Sequence, residues 1–166
     1  MATITRRGAE VHSIGELPAV GTKLPAFTLT GSDMSDFDAG VIAGRRVVLN
    51  IFPSIDTGTC AMSVRRFNEL AAGLENTLVL CVSADLPYAQ ARFCGAEGIQ
   101  NVVTGSSFRS SFGADYGVTM VDGGMRGLLS RAVVVADADG TVRYTEQVPE
   151  LSHEPDYEAA LAALAS

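Results

Sequence analysis

Three cysteines, at positions 60, 81 and 94, are the residues of this chain best suited to chemistry, and each has a different setting. Cys60 follows Pro53-Ser54-Ile55-Asp56-Thr57-Gly58-Thr59. Before that string, Val47-Val48-Leu49-Asn50-Ile51-Phe52 is an apolar, β-branched run of the kind that makes a central strand, and Pro53 ends it. After it, Ala61, Val64, Phe67, Leu70, Ala71 and Leu74 recur at three- and four-residue spacing, which predicts a helix with one apolar face. Asp56, Thr57 and Thr59 are the short polar residues of a helix entrance. Cys60 therefore falls in the first turn, where open N–H groups and the positive end of the helix dipole favour an anion. A thiolate is such an anion, and it is the reactive form of cysteine.

The magnitudes say what else such a site needs. An ordinary thiol, with a pKa near 8.5, is about 3% ionised at pH 7. A helix N-terminus contributes ~0.3–1 kcal/mol, and at most about 2, against the roughly 3.5 kcal/mol that full ionisation requires. A second positive group is thus expected beside the sulfur. Ionisation alone gains about thirtyfold, whereas enzymes accelerate by about 10⁶ or more, so donors aimed at the reacting group must supply the rest.

Cys81 lies inside the predicted strand Thr77-Leu78-Val79-Leu80-Cys81-Val82-Ser83 and reads as a small buried hydrophobe. Cys94 comes 34 positions after Cys60, on a second predicted helix that Pro87 opens and Gly95 and Gly98 stop. No C-x-x-C pair occurs, which argues against structural zinc and against thioredoxin-type dithiol exchange. His12 and His153 are the only histidines and lie near opposite termini, so a Cys–His hydrolase or a metal site is not expected. Gly123-Gly124-Met125-Arg126-Gly127 lacks the Gly-Lys-Ser/Thr ending of a phosphate loop and reads as a flexible loop. No flavin, haem or other bound cofactor is indicated.

The 166 residues suit one domain, 1–166, with a real core, and the apolar fraction of 47% describes a globule. A net charge of −7 disfavours a nucleic-acid partner. The pairs Arg6-Arg7, Arg45-Arg46 and Arg65-Arg66 are scattered and read as solvated faces. No apolar run approaches the ~18 residues of a membrane helix, and Arg6-Arg7 is not followed by the apolar stretch of an export signal. Three cysteines without a signal segment fit a reducing cytoplasm.

Along the chain, Thr3 to Arg6 and Val11 to Ile14 predict a hairpin around Gly8-Ala9. Phe27 to Thr30 predicts a short strand and Gly31 to Gly40 a polar loop. Strand 46–52, the Cys60 helix to about Leu74, strand 77–83 and the Pro87 helix follow. A brief strand is expected at Asn101 to Thr104 and one helical turn between Gly105 and Tyr116. Arg131 to Ala136 and Thr141 to Glu146 face each other across Asp139-Gly140, a two-residue hairpin signal, and Pro155 starts a final helix. The order predicts an α/β sandwich.

Pro53, Thr57 and Cys60, as Pro-x-x-x-Thr-x-x-Cys, resemble the active-site signature of the peroxiredoxins. The wider string from Asn50 to Cys60 with Ser63-Val64-Arg65 is similar to the thiol peroxidase branch of the atypical two-cysteine peroxiredoxins. So are Gly15-Glu16-Leu17-Pro18, Ser83-Ala84-Asp85-Leu86-Pro87, Arg92-Phe93-Cys94-Gly95 and Gly127-Leu128-Leu129-Ser130-Arg131-Ala132. The resemblance implies a thioredoxin-like fold: a central mixed β-sheet flanked by helices, with an N-terminal β-hairpin. It implies a cytoplasmic antioxidant peroxidase without cofactor, acting on hydrogen peroxide and organic hydroperoxides. It makes Cys60 the attacking thiol and Cys94 its resolving partner in a Cys60–Cys94 disulfide, reduced by thioredoxin, in a homodimer. It nominates Arg131 as the second positive group; a strand end facing solvent is the alternative. Thr57 is either a helix cap or a hydroxyl donor in the pocket of the sulfur, joined by N–H groups of the 58–60 turn, and Pro53 would shield that sulfur. Cys94 has two alternatives: an inert half-buried thiol, or one end of a structural bridge. Phe108, Phe112 and Tyr116 are expected either at the dimer interface or in the core.

Overall fold

The computed structural model describes residues 1–165. The N-terminal hairpin is made by β1 (Thr3–Arg6) and β2 (Ala9–His12), paired Arg6 to Ala9. Its turn is Arg7-Gly8, both at positive φ (52° and 83°), the two-residue connection whose twist matches that of the strands. The second strand thus starts at Ala9, two residues earlier than the alternation from Val11 predicts.

The remaining strands form one seven-stranded sheet: β3 (Thr28–Thr30), β4 (Asp36–Asp38), β5 (Arg46–Ile51), β6 (Thr77–Ser83), β7 (Val103–Ser106), β8 (Ala132–Ala136) and β9 (Val142–Gln147). Their spatial order is β4-β3-β7-β6-β5-β8-β9. β5, β6 and β7 run parallel, while β8 and β3 flank them antiparallel, so the sheet is mixed. β4 lies inside the predicted polar loop. It has three residues, Asp-Phe-Asp, at the sheet edge, too short and too charged to show as a strand before its partner is known. β7 sits two residues later than expected.

Strand alternation sends side chains to two cores. Val47, Leu49 and Ile51 face Phe27, Phe112 and Tyr116, with α3 (Phe112–Asp115) among them. Val48, Phe52, Val79 and Cys81 face α1 (Gly58–Ala71), α2 (Pro87–Glu97) and α4 (Tyr157–Leu164). This is the thioredoxin-like sandwich. Phe67 of α1 meets Tyr157 of α4 edge-on at 5.1 Å, which helps to fix the helix that carries Cys60. Phe112 and Tyr116 stack at 4.3 Å and are fully buried, so of the three aromatic residues considered for an interface they belong to the core; Phe108 alone is exposed.

Gly95 does not stop α2, because a helix tolerates one glycine; Gly98, at φ 66°, ends it with its N–H on the Cys94 carbonyl. The Asp139-Gly140 hairpin is present, with a loop longer than two residues. Asp137 and Thr141 still bond across it, and Gly140 takes φ 84°. Pro155 lies ahead of α4, whose cap is Asp156, its carboxylate accepting the Ala159 N–H at 3.0 Å.

Candidate active site

β5 delivers the chain to Pro53 at the end of the sheet where parallel strands finish, the usual place for a site in α/β architecture. The connection to α1 is pinned by Asp85, just past β6. Its carboxylate accepts from Ser54 Oγ (2.7 Å), the Ile55 N–H (2.7 Å) and Ser83 Oγ (2.6 Å). Arg92 of α2 reaches Asp56 at 2.7 Å. Sequence reading did not single out Asp85; the available signal was Ser83-x-Asp85 at the end of a strand predicted to neighbour the Cys60 strand.

Thr57 is the N-cap of α1. Its hydroxyl oxygen accepts from the Cys60 N–H at 3.3 Å and its proton points to the Ser54 carbonyl at 3.3 Å. The cap reading is therefore realised, and Thr57 also stands in the wall of the cavity described below. The Cys60 N–H is consumed by this cap. The N–H groups of Gly58 and Thr59 have no acceptor among the described residues, so two open donors remain where three were expected.

Cys60 is fully buried, and its turn is braced from below. Ser63 Oγ donates to the Cys60 carbonyl at 2.8 Å and accepts from Asn50 Nδ2 at 3.2 Å. Asn50 is a buried polar residue in the middle of β5, opposite Cys81 of β6, which its amide also approaches at 3.7 Å. A one-residue parity argument could have placed Asn50 on the helix face; its partner Ser63 needs the fold.

Pro53, Thr57, Gly58, Thr59 and Arg131 line one cavity of about 210 Å³, with Arg6, Arg7, Met125, Leu151 and Ser152 completing it. Arg131 is 2% exposed, which rules out the solvent-facing alternative. Its Nε and Nη2 both donate to the Leu151 carbonyl (2.9 and 2.8 Å), and its own carbonyl is held by Gln147 Nε2 at 2.9 Å. Nη1 has no hydrogen-bond partner among the described residues. A buried guanidinium with an unspent donor is costly unless an anion or a strong acceptor comes to it.

Cys94 is elsewhere. It lies half-buried on α2, in the wall of a second cavity with Phe37, Ala91, Ile99, Val102 and Thr104, and burial pushes its thiol up. Its carbonyl closes the helix by accepting from Gly98 and Ile99. The structure thus gathers Pro53, Thr57 and Arg131 around the Cys60 turn and leaves Cys94 outside it; all three thiols are free. Cys60, Cys81 and Cys94 share one apolar cluster. Burial pushes the Cys81 thiol up to about 12, as an inert core residue requires. Cys81→Ser should leave peroxide consumption within about twofold of wild type, checked by steady-state rates.

A mixed sheet flanked by helices, with a cysteine at a capped helix entrance beside a buried arginine, defines a protein of the thioredoxin-like class. The Redoxin family model matches residues 19–161, and the chain belongs to that family. It is 62% identical over 164 residues to a thiol peroxidase of Mycobacterium tuberculosis, the match covering 99% of each chain. A thiol peroxidase of Corynebacterium glutamicum is 54% identical with the same coverage. Among solved structures, a peroxiredoxin-like protein from Aquifex aeolicus superposes with a TM-score of 0.93 at 36% identity, over 99% of this chain and 97% of that one. The thiol peroxidase of Chromobacterium violaceum gives 0.92 at 22% identity, over 99% and 96%, a likeness of fold.

Proposed function

We propose that Cys60 is the peroxide-reducing thiol of a thiol-dependent peroxidase and that Cys94 closes its cycle. The Cys60 thiolate attacks the outer oxygen of a hydroperoxide and the O–O bond breaks. The inner oxygen leaves with a proton as alcohol or water, and the sulfur, having given two electrons, becomes a sulfenic acid. Cys94 sulfur then displaces that hydroxyl as water and forms the Cys60–Cys94 disulfide. A thioredoxin-type dithiol protein returns both thiols. No bound cofactor is needed.

Arg131 Nη1 and the open N–H groups of Gly58 and Thr59 stabilise the thiolate and the lengthening O–O bond. Thr57 holds the turn that presents them, and Pro53 keeps water from the sulfur. One domain carries the whole cycle, in the cytoplasm, and the exposed Phe108 face is where a homodimer would form. No helix among the described residues is long and apolar enough to cross a membrane.

The observation that carries this reading is the unpartnered Nη1 of a buried arginine in the wall shared with the cysteine turn. Arg131→Gln should lower the second-order rate with hydrogen peroxide by about 10²–10³, the usual loss on removing one such donor. Stopped-flow measurement on folded variant protein tests it, and a loss under threefold would remove Arg131 from the chemistry.

A further inference from the structure

Arg6 and Arg7 have no role in the cycle above, yet they stand in the wall of the same cavity as Arg131. The chain carries net charge −7 and twelve Lys and Arg residues. Among the described residues, six of those twelve pair with carboxylates. Of the other six, Arg6, Arg7 and Arg131 all line this one cavity, and no Asp or Glu lines it. An acidic protein thus collects half of its unpaired cations at a single opening.

The backbone that carries these two exposed arginines is firmly placed. Thr5 N–H donates to the Pro149 carbonyl and Leu151 N–H to the Thr5 carbonyl, both at 2.8 Å, so the hairpin is docked on the segment whose carbonyl Arg131 grips. Arg7 holds φ 52° in a tight turn where Asn or Gly is the ordinary occupant. Glu150 in this docking accepts from the Gly8 N–H and Thr5 Oγ1 with one oxygen and from Ser152 with the other, and its carboxylate forms no ion pair with either arginine among the described residues. Besides the cations the wall carries apolar surface from Pro53, Met125 and Leu151, together with the polar Thr57, Thr59 and Ser152. A water's share of liquid volume is about 30 Å³, so hydrogen peroxide alone would leave most of the 210 Å³ empty.

We propose that Arg6 and Arg7 bind the carboxylate of an organic hydroperoxide whose –OOH end reaches the Cys60 turn, making carboxylate-bearing hydroperoxides the favoured substrate class. The inference rests on Cys60 as the peroxide-reducing thiol. Two forked guanidiniums suit a carboxylate, the apolar wall suits the carbon body between the two ends, and the local field raises the encounter rate.

The test compares cumene hydroperoxide carrying a para carboxylate with its methyl ester, two peroxides with the same reacting group. For the wild-type protein, kcat/KM for the acid should exceed that for the ester by about tenfold at low salt. The excess should shrink as added salt screens the charges. In an Arg6→Gln/Arg7→Gln variant the acid-to-ester ratio should fall to near 1, while Arg6→Lys/Arg7→Lys should retain most of it. A wild-type ratio near 1, or a Gln variant that loses acid and ester in equal proportion, overturns the proposal. Should wild type consume neither these peroxides nor hydrogen peroxide, the Cys60 reading itself falls; activity without discrimination sinks only the arginine anchor.

Discussion

Cys60→Ser should abolish peroxide consumption, with a fall on the order of 10⁶ or to the detection limit. Serine fills the space of cysteine in a fully buried turn, so packing and the Thr57 cap survive and folding is not the cause. What is lost is the sulfur that attacks the peroxide and accepts its oxygen in the proposed cycle. Neither remaining cysteine can stand in. Cys81 is sealed in the sheet with its thiol pushed up to about 12, and Cys94 faces a cavity that Arg131 does not line. The measurement is peroxide loss with thioredoxin and its reductase present, beside a thermal melt of each protein. Retained turnover with a native melt would move the chemistry to another residue.

What could be read from the chain in advance was local. A strand run, a proline, short polar caps and a helical stripe occupy under thirty consecutive positions, so the setting of Cys60 follows from neighbours alone. The N-terminal hairpin and the α/β sandwich were accessible in the same way, whereas the mixed sheet came from the family resemblance. Asp85, Asn50 with Ser63, and the Arg6-Arg7 tip were not, because each acts through a partner brought by tertiary pairing: 30 residues away for Ile55 and Asp85, 144 for Thr5 and Pro149. Arg131 entered only through family resemblance. Nothing in a valine-rich strand says that the guanidinium before it will be buried, with two nitrogens bonded to Leu151 and the third left over. Edge strand β4 escaped for the same reason in the backbone, since its three residues have no pattern without β3.

Cys94→Ser should permit one oxidation of Cys60 and then stall, so that thioredoxin-coupled consumption stops near one equivalent of peroxide per chain. Cys94 does not line the cavity beside the Cys60 turn, and both cysteines lie in formed helices, whereas a disulfide needs Cα atoms within about 7 Å. Resolution is therefore expected to proceed through local unwinding. The last turn of α2 is the element suited to it: Gly95 lies inside the turn, Gly98 ends it, and two N–H bonds to the Cys94 carbonyl are what must break. Exposure also brings the buried, raised thiol back toward its ordinary value, so more of it is thiolate and able to attack. With Ser at 94 the sulfenic acid has no internal partner, and only under large peroxide excess does a second equivalent carry it on to sulfinic acid, still without turnover. Mass spectrometry should find the added oxygens on Cys60 in the variant and a loss of two hydrogens across Cys60 and Cys94 in wild type. The same assay separates a peroxidase from a redox sensor built on the same cysteines, since a sensor halts near one equivalent even with Cys94 present and thioredoxin in excess. Normal cycling by the variant would take Cys94 out of the mechanism.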